Sequence, residues 1–449
     1  MLSAEAAWAG GAEGLASSPP RWALPAIAAV AAAVRTPYAI EGPRFLLDDY
    51  YTLWYRTSRG VLGTPGPGQL AARPGAWAAY LLEFGIIGRH PLIGYLVLAG
   101  LGVLTAVLLC RCLARLIPWQ AAFAVSALWA VTANHSSLDH WLSTVNIALG
   151  LLLLIAGIDV LVTSRDTPHA IVPATVLLVA SALCYEAALP VAAVAVVVVP
   201  RVRGRRPSLR TVALAEAALV TTGIWMATHS RHDLGGGAFS YRDLPTSLFG
   251  SGVIPAGWAA HGLVIIATVV VAVSIDTVVR RRSMALGPWM VICGVGVIIL
   301  GTLAFARDPI SPLDLGDRVN EVAAIGAELV CVGGALQAAR WRWAAPVALM
   351  ALFAIGVAGH VERDLDYRDA GRDTAQIFAA VLKAHPSPPG RVIVVGPRYI
   401  SHHGITGMLG PEDQAFDAMT GVDGWEVWVA MSPSDLSAAL PSDRVLIHA

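Results

Sequence analysis

The chain has 449 residues, of which 56% are hydrophobic and only 14% charged, with a mean hydropathy of +0.63. Basic and acidic residues balance at 31 each, and Lys383 is the single lysine. So apolar a composition excludes a soluble protein with one or two ordinary cores, and no basic run with interleaved aromatics points to a nucleic-acid partner. All five cysteines lie in or at the edges of apolar segments, which argues against a disulfide framework.

Residues 1–20 are acidic, rich in Ala and Gly, and lack the basic n-region of a cleaved signal; they read as a disordered cytoplasmic leader. Apolar runs near the ~20 residues needed to cross a bilayer then recur at 22–40, 91–110, 118–134, 141–163, 168–184, 186–200, 209–228, 256–278, 286–305, 320–339 and 343–360. Arg35 interrupts the first run, and the fifth and sixth nearly abut. With eleven spans, the basic clusters at Arg111/Arg115, Arg165, Arg201–Arg206, Arg280–Arg282 and Arg340/Arg342 fall on one side. By the positive-inside rule that side is the cytoplasm, and these arginines serve topology. The N-terminus is then inside and the C-terminal tail outside the cytoplasmic membrane.

The outer face receives residues 41–90, Asn134–His140, Glu186, the loops at 229–255 and 307–320, and the tail. Within the first outer loop, Pro74, Trp77, Tyr80, Leu81, Phe84 and Ile87 recur at three- and four-residue spacing, predicting a helix over 73–88 that lies in the interface. Residues 63–68, Gly-Thr-Pro-Gly-Pro-Gly, form a turn-rich connection before it. From residue 361 the composition changes: 362–385 reads as an amphipathic helix ending before Pro386, and 391–396, 425–430 and 444–448 read as strands. The expected fold is an all-α polytopic membrane protein of about eleven spans (21–360), with interfacial helices in the first outer loop. A small extracytoplasmic α/β domain (361–449) follows as a lid or support. Its Gly396-Pro397 turn lacks the glycine spacing of a nucleotide loop.

Asp48 and Asp49, side by side just beyond the first span, are the leading candidates for chemistry. They either cap the following helix and bind Arg44 or Arg56, or supply a general base at the mouth of a membrane cavity. Tyr50, Tyr51 and Trp54 suit interfacial anchoring or a sugar face. Glu186 stands between two apolar runs with no basic residue nearby in sequence, so it needs a distant partner or a substrate. Arg318, at the head of the tenth span, offers a planar fork to a lipid phosphate or else pairs with Asp314 or Asp317; Arg307 has the same choices. His135 and Asp139, four apart, share a helix face that either binds a metal or is a polar turn lining the outer cavity. His229–Asp233 precede a flexible Gly235–Gly237 segment, and His402-His403 reads as a solvated loop.

An acidic pair in the first outer loop, interfacial helices after it and a soluble outer tail resemble the GT-C superfamily of membrane glycosyltransferases. The likeness is to members that use polyprenyl-phosphate sugars, such as protein O-mannosyltransferases, aminoarabinose transferases and bacterial glucosyl- and arabinosyltransferases. It covers about residues 40–360 in organisation. Leu183-Cys184-Tyr185-Glu186-Ala187 with Pro190 is similar to a segment where many members have Ser-Lys-Glu before a proline, with Tyr185 in the place of the lysine. Gly316-Asp317-Arg318 resembles a late outer-loop arginine motif. The resemblance implies that Asp48 or Asp49 is the base, that Arg318 holds the lipid phosphate, and that a glycan, lipid or protein accepts the sugar with inversion. Phosphate is already a good leaving group, so no metal or other cofactor is expected. The rival classes are a transporter or flippase, in which Asp159, Glu216 or Asp276 would mark a pathway, and a non-catalytic partner of the same fold. The rival is opposed by polar residues clustered at one face and by the lack of an internal repeat.

Overall fold

The computed structural model describes residues 19–41, 44–46, 48–63, 71–163, 168–203, 208–229, 244–249, 258–281, 285–305, 320–337, 343–384, 390–395, 399–402, 405–408, 417, 419–420, 425–430 and 444–447. In chain order the helices are α1 (Ala23–Glu41), α2 (Asp48–Arg59), α3 (Pro74–Tyr80), α4 (Pro91–Leu113), α5 (Trp119–Val131), α6 (Ser137–His140), α7 (Val145–Thr163), α8 (Pro168–Cys184), α9 (Ala188–Val202), α10 (Leu209–His229), α11 (Leu244–Phe249), α12 (Trp258–Arg281), α13 (Leu286–Thr302), α14 (Glu321–Gln337) and α15 (Ala344–Ala384). Every apolar run expected to span carries a helix. Helices α1, α4, α10, α15 and the Leu142–Thr163 stretch containing α7 are long and apolar enough to cross a membrane. Shorter apolar stretches lie on α5, α8, α9, α12 and α13. The chain is an all-α multi-pass membrane protein with a small sheet near its C-terminus.

Lipid gives no hydrophobic drive between helices, so close packing of small residues holds them together. Helices α13 and α14 pack antiparallel along glycines seven residues apart. A methyl group on Gly294 would lie 2.5 Å from the Gly326 carbonyl oxygen, and one on Gly326 would lie 2.5 Å from that of Gly294. Gly333 meets the Gly287 carbonyl oxygen in the same way at 2.7 Å. At the opposite end of the bundle from the site described below, Asp159 lies 3.4 Å from both Arg111 and Arg115. The acid thus neutralises basic residues at a helix end.

Helix α2 carries acids in its first turn and Arg56 and Arg59 in its last, matching the helix dipole, and stops at Gly60, whose φ of 76° suits glycine. The interfacial segment is a helix in two parts. Pro74 starts α3, a π-helical stretch (Leu81–Ile87) continues it, and Gly88 (φ 66°) closes it. No break falls at residue 361: α15 runs unbroken for 41 residues, so the last span and the amphipathic segment are one helix.

The strands β1 (Gly390–Val395), β4 (Trp425–Ala430) and β5 (Arg444–Ile447) form a parallel sheet in the order β4-β1-β5. Strands β2 (Tyr399–His402) and β3 (Ile405–Met408) form an antiparallel hairpin, so His402 belongs to a strand paired with Ile405 and not to a loop. One apolar core fills the bundle, and a second joins α1, the segment between α1 and α4, α4 itself, residues 141–148 and the far half of α15 through Tyr38, Phe45, Tyr50, Tyr95, Trp141, Tyr367 and Phe378.

The glycine contact gives a direct test. Gly326→Val should lower the thermal unfolding midpoint of the detergent-solubilised protein, with overpacking costing about 1–3 kcal/mol. Gly296→Ala, where an added methyl meets nothing within 4 Å, should leave it unchanged; equal midpoints for both variants would contradict this packing.

Candidate functional site

Residues 132–144, between α5 and α7, fold inward, and the polar side chains Asn134, His135, Ser136, Ser137, Asp139, His140, Ser143 and Thr144 are all buried. Buried polar groups must be paired, and this turn finds partners in several elements. Arg35, buried within α1, bonds Asp139 Oδ1 through Nε at 2.6 Å and donates to the Ala130 carbonyl at 2.9 Å. Gly102 makes room for that guanidinium, since a methyl there would collide with Arg35. Trp129 lies under Arg35 and stacks on His135 at 4.8 Å. His135 is hydrogen-bonded to Asn134 through Nδ1; burial, reinforced by Arg35, pushes its pKa down to about 3. Of the two alternatives for His135 and Asp139, the polar turn fits: the acid answers Arg35, and the imidazole is a neutral ring packed on Trp129.

Asp49 is buried at the start of α2 and accepts from the Leu46 N–H (2.8 Å), the Ser143 N–H (2.8 Å) and the Ser143 hydroxyl (2.6 Å). It ties the segment between α1 and α4 to the turn between α5 and α7. The backbone of Asp48 opens the same helix. Tyr50 is buried against Phe45 and Phe378, so its ring packs the first loop onto α15 instead of facing a sugar. Tyr51 and Trp54 stack at 6.1 Å on the more open side of α2.

Glu186 has its distant partner. Arg73, which precedes α3, forms an ion pair with it across 113 residues, with both side chains about one-fifth exposed, and the guanidinium also lies 5.9 Å from the Tyr185 ring centroid. Gly75 packs against Cys184, and Tyr80, at the other end of α3, donates to the Ser143 carbonyl at 2.9 Å. Helix α3 thus links the Glu186 turn to the Asp49–Ser143 contact. Close to Glu186, Glu321 opens α14 fully buried, and neither of its carboxylate oxygens has a hydrogen-bond partner.

Sequence reasoning missed Arg73, Glu83 and Glu321, and it did not join His140 to His360 and Asp364, the group whose donors converge closely enough for a metal ion among the described residues. Burial opposes the His140 imidazolium, but the Asp364 carboxylate, Asp139 and the Ser136 carbonyl outweigh it and raise its pKa. Glu83 lies buried over Gly94, where a methyl would collide with its carboxylate. Arg307, Arg318, Asp314 and Asp317 lie outside the described residues, as do Arg165, residues 230–243 and the Gly396-Pro397 turn.

No known protein family and no curated protein matches the sequence. Three solved structures of the Archaeoglobus fulgidus oligosaccharyltransferase are similar over 92% of this chain, at 10%, 11% and 12% identity and a TM-score of 0.46 each. They are a complex with zinc and sulfate, an apo form, and a form tethered by a disulfide to an acceptor peptide with the NVT sequon. The chain spans 62%, 65% and 64% of their respective lengths.

Two measurements probe this seam. Burial pushes the Glu83 carboxyl from 4.5 up to about 7, so the folded state favours its protonated form. The stability this gives is fully present below pH 4.5 and is lost as pH rises through about 7. Glu83→Gln should unfold with the wild type near pH 4.5 but at a higher temperature at pH 8, a gain of up to about 3 kcal/mol; a pH-independent difference would refute this. Arg35→Met should cost about 3–5 kcal/mol by stranding Asp139, and the double change Arg35→Met/Asp139→Leu should recover part of that loss. Denaturation of all variants in one detergent checks it.

Proposed function

We propose that the chain is an inverting glycosyltransferase that moves a sugar from a polyprenyl-phosphate donor to a cell-envelope acceptor at the outer face of the cytoplasmic membrane. The observation that carries this reading is the acidic pair opening α2, with Asp49 held by three donors and Asp48 beside it. A carboxylate already saturated by hydrogen bonds is a poor proton acceptor. We therefore assign the base role to Asp48, and a positioning role to Asp49, whose grip on Ser143 fixes the first turn of the helix.

In the reaction the acceptor hydroxyl attacks the anomeric carbon and gives its proton to Asp48. The new glycosidic C–O bond forms as the bond to the lipid phosphate breaks, and the phosphate departs with the electron pair. A single displacement inverts the anomeric centre. Cationic groups stabilise the departing charge; Arg318 takes this part on its motif alone, with Arg307 as a further candidate. The Arg73–Glu186 pair lines the neighbouring stretch of the seam, where a partly exposed arginine suits a phosphate or sugar oxygen. In this reading residues 1–20 are a cytoplasmic leader, 21–360 form the transfer domain, and α15 leaves the bilayer near residue 360 to carry an extracytoplasmic α/β unit. A glycan, lipid or protein of the envelope is the acceptor.

Membranes containing each variant, incubated with radiolabelled polyprenyl-phosphate sugars, test the assignment. Asp48→Asn should abolish labelled product, by at least about 100-fold, while membrane insertion stays intact. Asp49→Asn should reduce the rate less. Unchanged transfer by Asp48→Asn would remove the base role, and movement of lipid or solute by purified protein in liposomes without any transfer would replace the enzyme reading with a transporter.

A further inference from the structure

The inward-folded turn and the far half of α15 bring three donors together. His140 closes α6, while His360 and Asp364 sit one turn apart on α15; their ligand atoms all lie within 4.8 Å of one another, and all three residues are buried. The His140 ring is fixed by the Ser136 carbonyl, 2.6 Å from Nδ1. A carbonyl only accepts, so Nδ1 carries the hydrogen and Nε2 turns toward Asp364. Metal-bound histidines are oriented in this way, one nitrogen donating to a carbonyl and the other free to ligate. His360 Nε2 lies 3.6 Å from the same Asp364 oxygen, beyond hydrogen-bond reach, and neither of its ring nitrogens has a hydrogen-bond partner.

A proton between His140 and Asp364 accounts for one contact of this group and leaves His360 buried and unsatisfied, at a cost of about 1–3 kcal/mol. A cation bound by all three gives His140, one ring nitrogen of His360 and the Asp364 carboxylate a common partner. The charges agree, because Arg35 already pairs with Asp139, and among the described residues Asp364 pairs only with the two histidines. Two imidazoles and one carboxylate suit zinc better than calcium or magnesium, which prefer all-oxygen sites. The rings of Tyr38 and Tyr367 lie 4.6 and 4.7 Å from His140 and close the site off.

We propose that His140, His360 and Asp364 bind a zinc ion that fastens α15 to the turn preceding α7. With metal–ligand bonds of about 2.0–2.1 Å, neighbouring donors stand about 3.3 Å apart in a tetrahedron. Binding therefore opens the His140–Asp364 contact slightly and draws His360 in, with the fourth position left to water. The site is structural, and it stands or falls independently of the transferase reading.

The test uses the full chain, purified with any histidine tag removed, stripped with chelator and then dialysed against zinc or cobalt. The wild type should retain one zinc per chain, its thermal midpoint should rise by several degrees with zinc, and the cobalt form should show the visible bands of tetrahedral Co(II). Asp366→Asn, whose acid pairs with Arg363, should keep the metal. His360→Gln should lose it, along with the thermal shift. A wild-type protein that holds no more zinc than His360→Gln, or whose midpoint does not respond to zinc, overturns the proposal; the wild-type arm decides even if the variant does not fold.

Discussion

An arginine inside a membrane helix must find a counter-charge, because an unpaired ion there costs several kcal/mol. Arg35 finds Asp139, and the search draws the whole turn between α5 and α7 into the bundle. Once that turn is buried, each of its polar groups needs a partner. Asn134 donates to the Leu248 carbonyl and receives Asn320 on its own carbonyl, His140 meets Asp364, and Ser143 meets Asp49. The segment between α1 and α4, α11, the start of α14 and the far half of α15 are thereby hung on one short stretch of backbone.

Much of the fold was legible because a run of apolar residues is a local property, and every run read as a span is a helix. The parallel strands were equally plain as β-branched runs between turns. Pairings across long separations were not. Arg35 looked like a weakness of the first span because its acid lies 104 residues away, and Glu186 waited for an arginine 113 residues earlier. The Asp48–Asp49 pair stood out, yet nothing local told that Ser143, 94 residues on, saturates one of the two. His360 and Asp364 are a different case. Their four-residue spacing was visible, but placing the end of the last span at residue 360 divided them between two segments.

The acids near this face are not equivalent, and their surroundings sort them. Asp139 and Asp49 are consumed by architecture, one by a guanidinium and one by backbone and hydroxyl donors. Glu83 and Glu321 are buried with oxygens that find no hydrogen bond, and Glu186 is shared between Arg73 and a partly open surface. Helix α3 is the spacer that holds these groups at a fixed separation, gripping the Glu186 turn at one end and the Ser143 carbonyl at the other. A chain with few charges has placed them where each alters its neighbour.

The unbroken course of α15 has a mechanical consequence. At 1.5 Å per residue its 41 residues make a rod of about 60 Å, twice the hydrocarbon thickness of a bilayer. A rigid rod pivoting where it is gripped near His360 and Asp364 acts as a lever: a tilt of about 10° in its lipid-embedded arm would swing the tip of the other arm by about 5 Å. Any such tilt would be passed to the β-strands packed against that arm, β2, β3 and β5.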